Sequence, residues 1–278
     1  TGLMEGDFIK LNHRSVSNIV GRGGTILKTA RCPEFFKVSG QKKAVEQLKK
    51  HLIDALVVIG GDGSFRGAHK LSLHWNIQVV GIPGTIDNDL NGTDYTIGSD
   101  TAVNVALDAI DKIRDTATSL ERIFIVEVMG RLSGYIALQV GIAGGAEEVI
   151  IPEERFNVGN ICERIKEGRR KGKYSWIIIV AEGAVNSYDL AKVIKKRTGF
   201  DIRVSVLGYV QRGGSPTAFD RVLATSLGPA AVDAVLHGKS DIMMGISNGD
   251  IREIPFAIAV RKKAWLDKNL FGLIRILT

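Results

Sequence analysis

One pattern recurs along the chain and limits what it can fold into: short apolar runs rich in β-branched residues end at a glycine, a proline or an acidic residue. Continuous apolar runs of this length are typical of parallel strands that are buried on both faces of a sheet. Amphipathic stretches follow these runs, as helices follow strands in α/β proteins. We predict strands at Ala55–Ile59, Gln78–Ile82, Arg122–Val128, Glu148–Ile151 and Trp176–Val180.

Three of the amphipathic stretches have a helical period. Between Thr101 and Arg114 the apolar residues at 103, 106, 110 and 113 fall on one stripe of a helix. Asn160–Arg170 and Asp189–Arg197 are predicted as further helices. This alternation predicts an α/β fold with parallel sheets, in which ligands bind at the carboxyl ends of the strands. The glycines and acidic residues lie at those ends.

Composition narrows the class of protein. The 278 residues suffice for two domains, and no apolar run approaches the ~20 residues that a membrane helix needs. The first residues lack the basic start and apolar stretch of a signal peptide. Cys32 and Cys162 have no metal-binding spacing, which favours a reducing cytoplasm over a disulfide framework or a zinc site.

The net charge of +7, from 37 basic and 30 acidic residues, raises the possibility of a nucleic-acid partner. The basic residues are scattered, however, except between Arg164 and Lys173, and no recognised nucleic-acid module is present. A substrate with several phosphates requires the same positive field. We therefore expect a small phosphorylated substrate, with neither nucleic acid nor a membrane as partner.

The first candidate site is the run Gly60-Gly61-Asp62-Gly63-Ser64, directly after a predicted strand. Glycines let backbone N–H groups approach phosphate oxygens, and the N-terminus of a following helix favours anions. Asp62 is a carboxylate suited to Mg²⁺. An ordinary strand-to-helix turn with Ser64 as the N-cap stays open as the alternative.

The second candidate site is Pro83-Gly84-Thr85-Ile86-Asp87-Asn88-Asp89. In an extended segment Asp87 and Asp89 would lie on the same face. Of two carboxylates beside a metal–phosphate site, one can orient the metal while the other takes the proton from an attacking hydroxyl. The alternative is a solvated turn rich in Asp and Asn.

Two further segments carry arginine next to glycine. In Glu127–Arg131, Arg131 could neutralise charge on a transferring phosphoryl group. In Gly208–Pro216, Arg212 and the glycines suit a phosphate clamp. Glu182, at the end of another predicted strand, could accept hydrogen bonds from sugar hydroxyls. The alternatives are a surface arginine after a strand for Arg131, a glycine turn beside a solvated arginine for Arg212, and an ordinary strand-end glutamate for Glu182.

These four segments, in this order, resemble the phosphofructokinase family over most of the chain. The resemblance implies two Rossmann-like three-layer domains, with the active site in the cleft between them. Residues 1–98 plus about 211–261 would bind ATP, and about 99–210 plus 262–278 would bind fructose 6-phosphate. The implied reaction is transfer of the γ-phosphoryl group of ATP to the 1-hydroxyl of fructose 6-phosphate, a committed step of glycolysis.

The resemblance also implies roles for single residues. Asp87 would be the base and Asp62 the Mg²⁺ ligand, with Asp89 close by. Thr85 and Arg131 would bind and stabilise the transferring phosphoryl group. The residues implied at ATP are Arg31, Gly61, Gly63 and Ser64, and those implied at the sugar phosphate are Met129, Gly130, Glu182, Tyr209 and Arg212.

An oligomer follows from the same resemblance, because Arg122 and Arg203 would enter the sugar-phosphate site of a neighbouring subunit, usually within a homotetramer. An effector site between subunits, for ADP or phosphoenolpyruvate, would use Arg114, Glu147, Lys171 and Lys173. The alternative for the two lysines is a solvated helix end. We treat allosteric control as a hypothesis.

Two departures from the family pattern bear on activity. Tyr209 replaces a histidine found in many members, so its hydroxyl can still donate to phosphate but carries no charge. The family's opening β-α-β unit, of roughly 40 residues with a Gly-Gly-Asp-x-Pro-Gly phosphate loop, has no counterpart before Thr1. We therefore expect either an incomplete sequence or a catalytically silent subunit of a phosphofructokinase oligomer.

The phosphoryl donor is predicted from Gly63 and Gly84. Relatives that use pyrophosphate carry Asp and Lys at these positions, and an Asp at 63 would place charge where the α-phosphate of ATP must lie. Two glycines leave that space open, so we favour ATP, with a pyrophosphate-dependent enzyme as the nearest alternative.

Overall fold

The computed structural model describes residues 1–261, 263 and 268–277, with backbone only for 268, 269 and 275–277. Residues 262, 264–267 and 278, part of the segment predicted to end the sugar-phosphate domain, lie outside the described residues. The chain forms two compact units. Unit 1 comprises Thr1–Thr85, Asp89–Gly98 and Ser215–Lys263, and unit 2 comprises Ile86–Asn88, Ser99–Gly214 and the described part of 264–278.

Strands and helices alternate through most of the chain. The strands are β1 Ala55–Gly60, β2 Gln78–Pro83, β3 Ile123–Val128, β4 Glu148–Ile150, β5 Trp176–Ala181, β6 Ile202–Val206, β7 Ile242–Ser247 and β8 Asp250–Pro255. The helices are α1 Gly2–Glu5, α2 Val38–Lys50, α3 Asp62–Trp75, α4 Ser99–Ser119, α5 Tyr135–Ala143, α6 Val158–Arg170, α7 Ser187–Thr198, α8 Ala218–Leu236, α9 Phe256–Ala259 and α10 Lys268–Leu277. Two short 3₁₀ helices occupy Pro33–Phe36 and Gly208–Arg212.

Unit 1 contains a four-stranded sheet in the order β1-β2-β7-β8. The first three strands are parallel, and β8 returns antiparallel to β7. The turn between β7 and β8 contains Asn248 and Gly249, both with positive φ, as tight hairpins require. One face of the sheet packs Val79 against Phe65 and Phe256, and the other packs Val80 against helix α8.

Unit 2 contains a second four-stranded sheet in the order β4-β5-β3-β6, and all of its strands are parallel. Helices α4, α5 and α10 cover one face, with Ile110 and Ile136 buried. Helices α6 and α7 cover the other, with Ile161 and Leu190 buried. The Asn157 and Asn186 side chains accept hydrogen bonds from the first N–H groups of α6 and α7, which fixes where each helix begins.

The predicted α/β fold with mostly parallel sheets in two domains is confirmed. All five predicted strands and all three predicted helices are present. Helix α4 is longer than predicted at both ends, and Ala117, beyond the predicted end, is buried. The sequence did not predict β6 or the β7–β8 hairpin. Strand β8 is at the edge of its sheet and mostly exposed, so its residues do not form an apolar run. In the part of the chain that the structure describes, no helix is long and apolar enough to cross a membrane.

Candidate active site

The first two sequence motifs meet at the carboxyl ends of adjacent parallel strands in unit 1. Strand β1 ends at Gly60 and β2 ends at Pro83, and these two residues are partners in the register. The Gly84 N–H donates to the Gly60 carbonyl over 3.0 Å. A Cβ atom on Gly61 would lie 3.3 Å from the Thr85 Cβ, so glycine allows this close approach. The two motifs are therefore in direct contact at Gly60–Gly61 and Gly84–Thr85.

Helix α3 begins at Asp62, directly after this junction. Its N-cap is Gly61, and no side chain caps it. The alternative in which Ser64 is the N-cap is therefore wrong, because Ser64 lies inside the first turn and is exposed. The first N–H groups of a helix have no partner within the helix, and the helix dipole adds positive potential there. This end of α3 is suited to phosphate.

Gly63 lies in the first turn of α3 and faces open space. A Cβ atom added there would meet no other atom within 4 Å. Asp62, one residue earlier, lies 3.8 Å from the Arg66 guanidinium and is partly exposed. A negatively charged ligand could thus approach the helix end beside a carboxylate.

The segment between Thr85 and Asp89 is bent rather than extended. Asn88 has a φ of 45°, in the left-handed region, so the expectation that Asp87 and Asp89 share one face of an extended segment is wrong. Asp87 is only 6% exposed and is grouped with unit 2, whereas Thr85 and Asp89 belong to unit 1. The Thr85 carbonyl accepts a hydrogen bond from the Thr96 hydroxyl at 2.6 Å.

Asp89 lies near a partly buried cation, Lys263, that the sequence did not predict. The Lys263 ammonium donates to the Thr93 carbonyl over 2.9 Å. Burial lowers the pKa of Lys263 to about 8, while the carboxylates of Asp94 and Asp89 act in the opposite direction. The Lys263 ammonium therefore links residues 89–94, which follow the second motif, to the last residue of unit 1.

In unit 2 the other candidate residues gather at the carboxyl ends of β3, β5 and β6. Met129, Gly130 and Arg131 follow β3, and Glu182 follows the neighbouring β5. The Glu182 Oε1 accepts hydrogen bonds from the N–H groups of Gly130 and Arg131, at 3.2 and 2.8 Å. The structure thus brings these four predicted residues together.

The 3₁₀ helix after β6 contributes Tyr209 and Arg212. The Arg212 guanidinium lies over the Tyr209 ring, 5.2 Å from its centre, and both side chains are exposed. Between them, buried Gln211 accepts from the Met129 N–H at 3.3 Å and donates to the Gly208 carbonyl at 3.2 Å. Gln211 was missed because a sequence does not reveal which polar residue of a glycine-rich segment is buried.

Arg122 and Arg203 do not join this group. Arg122 precedes β3 and Arg203 is the second residue of β6, so both lie at the amino ends of strands whose carboxyl ends carry the other residues. There they converge on Asp201, at 3.4 and 3.0 Å.

Three of the four predicted effector residues form a cluster, and Lys171 lies outside it. Glu147 is buried, and its carboxylate lies 3.9 Å from Arg114 and 3.0 Å from Lys173. It also accepts from the Ile177 N–H at 2.6 Å. Lys171 instead pairs with Glu167 at 2.7 Å. Arg31, predicted at ATP, lies on an exposed segment without regular secondary structure.

A magnesium ion would have few protein ligands here. Residues 1–261, 263 and 268–277 hold no group of three or more His, Cys, Asp or Glu side chains arranged for a metal ion. Mg²⁺ beside phosphates commonly takes only one or two carboxylates, with phosphate oxygens and water completing its shell. Asp62, at a phosphate-suited helix end, fits that pattern.

Comparison with known proteins gives a consistent result. A sequence model of the family described as "Phosphofructokinase" matches residues 1–235. A relative from Thermotoga neapolitana, named "ATP-dependent 6-phosphofructokinase", is 50% identical over 278 residues, which is 100% of this chain and 87% of the relative. A relative of the same name from Listeria welshimeri is 53% identical over 277 residues, covering 100% and 86%.

The fold also matches solved structures. The crystal structure of Pichia pastoris phosphofructokinase in the T-state superimposes with a TM-score of 0.86 at 37% identity. The match covers 93% of this chain but only 31% of the Pichia chain, so this chain spans about a third of that protein.

Proposed function

The chain belongs to the phosphofructokinase family, and from this premise we propose that it transfers the γ-phosphoryl group of ATP to the 1-hydroxyl of fructose 6-phosphate, a step of glycolysis. The name shared by relatives that are 50% and 53% identical over the whole chain supports this reaction. The structural observation that carries it is the junction of Gly60–Ser64 with Gly84–Thr85 at two adjacent strand ends. A phosphate-suited helix end thus adjoins Thr85, two residues before Asp87 in the sequence.

ATP is proposed to bind with its phosphates at the N-terminus of α3. The backbone from Gly61 to Ser64 offers N–H groups there, and the open space around Gly63 admits a phosphate. Arg31 is proposed to contact the nucleotide from the exposed segment before α2. Together with phosphate oxygens, Asp62 would hold Mg²⁺, which would neutralise phosphate charge when bound.

The transfer itself requires a base and a group that stabilises charge. We assign the base to Asp87, which takes the proton of the 1-hydroxyl as its oxygen bonds to the γ-phosphorus. The bond from that phosphorus to the bridging oxygen breaks, and ADP leaves with the electron pair. Thr85 and Arg131 would bind the oxygens of the transferring phosphoryl group. Asp89 would support Asp87 from the end of the Thr85–Asp89 segment. The burial of Asp87 suits a base, because few water molecules compete with the substrate hydroxyl for hydrogen bonds to its carboxylate.

Fructose 6-phosphate is proposed to bind at the carboxyl ends of β3, β5 and β6. Met129, Gly130 and Glu182 would contact the sugar, and Tyr209 and Arg212 its phosphate. The stacking of Arg212 on Tyr209 leaves the guanidinium edge available for phosphate oxygens.

Arg122 and Arg203 are proposed to complete the site of a neighbouring subunit within a homotetramer. They lie together at the amino ends of β3 and β6, away from the residues at the carboxyl ends. This position supports a role in the site of another subunit. The cluster of Arg114, Glu147 and Lys173 is proposed to bind an effector such as ADP or phosphoenolpyruvate, with Lys171 nearby in sequence. An ADP titration that leaves the fructose 6-phosphate saturation curve unchanged would remove the effector proposal.

A cytoplasmic location completes the proposal, and the two free cysteines support it because reducing compartments keep thiols unpaired. The alternatives are a pyrophosphate-dependent enzyme and a silent subunit of an oligomer. Gly63 and Gly84 favour ATP over pyrophosphate as the phosphoryl donor. The presence of all four proposed catalytic residues argues against a catalytically silent subunit: Asp62, Asp87, Asp89 and Arg131.

One assay tests the whole proposal: turnover of fructose 6-phosphate with MgATP and, in parallel, with magnesium pyrophosphate, on the intact gene product. Turnover with ATP alone is expected. Turnover with pyrophosphate alone would overturn the donor, and absence of both would favour the silent subunit.

A further inference from the structure

The loop between β3 and α5 carries Arg131 in an unusual backbone conformation. Gly130 has a φ of 143° and Arg131 a φ of 53°, which lies in the left-handed region. A residue with a side chain adopts that region at a cost, so surrounding contacts must hold it there. A Cβ atom on Gly183 would lie 1.9 Å from the Arg131 carbonyl oxygen, which shows how closely the neighbouring loop supports this peptide.

Two carboxylates hold the loop, one near each end. Glu182 accepts from Gly130 and Arg131 at the start of the loop. At its end, both oxygens of Glu153 accept from the Gly134 N–H, at 2.9 and 3.1 Å. Within the loop, the Ser133 N–H donates to the Gly130 carbonyl over 2.8 Å. The turn is therefore closed internally and fixed externally at both sides.

Glu153 is well placed to act as a fixed support. It is an exposed residue that follows buried Ile151 and partly buried Pro152, just after β4, a short edge strand whose three residues are all buried. Gly134 is the residue that precedes α5, so the Glu153 charge also lies at the positive end of that helix. A Cβ atom on Gly134 would lie 2.5 Å from the Ile151 Cβ and 2.7 Å from the Glu153 Oε2, so the backbone at Gly134 packs directly against both residues.

We propose that Glu153 is a positioning residue for phosphoryl transfer: by fixing Gly134 it holds the loop in the conformation that presents Arg131 to the transferring group. This inference rests on the proposed function, because it needs Arg131 at the phosphoryl group. Glu153 does not contact substrate in this scheme. Its loss would let Arg131 move relative to the reacting atoms, and small misplacements of this kind reduce rate more than affinity.

The test compares Glu153→Ala and Glu153→Gln with a matched control, Glu154→Ala. Glu154 is the next residue, is equally charged and exposed, and its backbone N–H bonds to the Ile151 carbonyl without involving its side chain. We expect Glu153→Ala to lower kcat about 10- to 100-fold with little change in the KM for ATP. Glu153→Gln should fall between it and the wild type, because an amide oxygen still accepts one bond. Glu154→Ala should match the wild type.

A double variant separates positioning from general destabilisation. In an Arg131→Ala background, Glu153→Ala should lower kcat by less than about twofold, because the group it positions is already gone. Full additivity of the two substitutions, or a kcat for Glu153→Ala equal to that of Glu154→Ala, would overturn the inference while leaving the proposed function intact. If the wild type and Glu154→Ala are both silent, the proposed function fails and this inference fails with it. Thermal unfolding of each variant checks folding, and Glu153→Gln replaces Glu153→Ala if the latter does not fold.

Discussion

Arg122 and Arg131 lie at opposite ends of strand β3: Arg122 immediately precedes Ile123, and Arg131 follows Val128 by three residues. A six-residue strand spans roughly 20 Å, so the two arginines face different ends of the sheet. Arg203 belongs to the Arg122 end, since it pairs with Phe124 in the register. If both ends bind the same substrate class, they do so in different copies of the chain.

This separation predicts complementation between two defective variants. Asp87→Ser lacks the proposed base but keeps Arg122, and Arg122→Ala has the opposite defect. After subunit exchange under random assortment, about a quarter of the sites would combine an intact Asp87 with an intact Arg122. Turnover should therefore appear in the mixture, at a fructose 6-phosphate concentration too low for Arg122→Ala alone. A mixture no more active than its components would show that Arg122 does not serve a neighbouring site.

Asp87→Ser tests the base directly. A general base typically contributes ~10²–10⁴ in rate, so kcat should fall by at least about 10²-fold, with modest change in substrate affinity. Steady-state kinetics give kcat, and equilibrium binding of fructose 6-phosphate gives the affinity. A near-normal kcat would rule out Asp87 as the base.

Gly63→Asp tests donor selection at the end of α3. Because a Cβ at Gly63 meets no atom within 4 Å, the variant should fold, and the added carboxylate should repel the α-phosphate of ATP. We expect turnover with ATP to fall by about 10²-fold or more, because the added negative charge would lie in a site that binds phosphate. Gly63→Ala is the matched control. It adds only the Cβ, keeps turnover near that of the wild type, and should stabilise α3 by about 0.5–1 kcal/mol. Retained ATP turnover in Gly63→Asp would refute the donor assignment.

The fold could be predicted where burial on both faces leaves a continuous apolar run, as in β3 and β5. Strand β8 could not, because an exposed edge strand such as Asp250–Pro255 needs apolar side chains at few positions. The junction of the first two motifs follows from a rule: adjacent parallel strands present their carboxyl ends together.

Contacts within the site were less accessible to sequence reasoning. The bend at Asn88 separates Asp87 from Asp89, and it depends on a left-handed residue that no pattern marked. Glu153 lies 19 residues from the Gly134 it holds, and Lys263 lies 170 residues from its partner Thr93. Such pairs are produced by tertiary packing, so neither period nor motif indicates them.

Lys263 predicts a pH dependence of stability. Its pKa is about 8 in the folded protein, against a usual value of 10.5, and the largest cause is burial. Below pH 8 the ammonium is charged in both the folded and unfolded states, so the folded state bears the full cost of burying it. As pH rises from 8 to 10.5 the folded form is neutral while the unfolded form still binds a proton, and this cost disappears. The difference corresponds to at most about 3 kcal/mol.

The free energy of unfolding of the wild type should therefore rise relative to that of Lys263→Met between pH 8 and 10.5. Urea unfolding of both proteins at intervals from pH 7 to 10.5 measures this difference. Lys192→Met serves as the control, because solvent screens the charge of that exposed side chain in both states. A difference in the free energy of unfolding between wild type and Lys263→Met that stays constant over this range would contradict the prediction. It would mean that burial does not destabilise the charged ammonium of Lys263, because its interactions with the Asp94 and Asp89 carboxylates offset that effect.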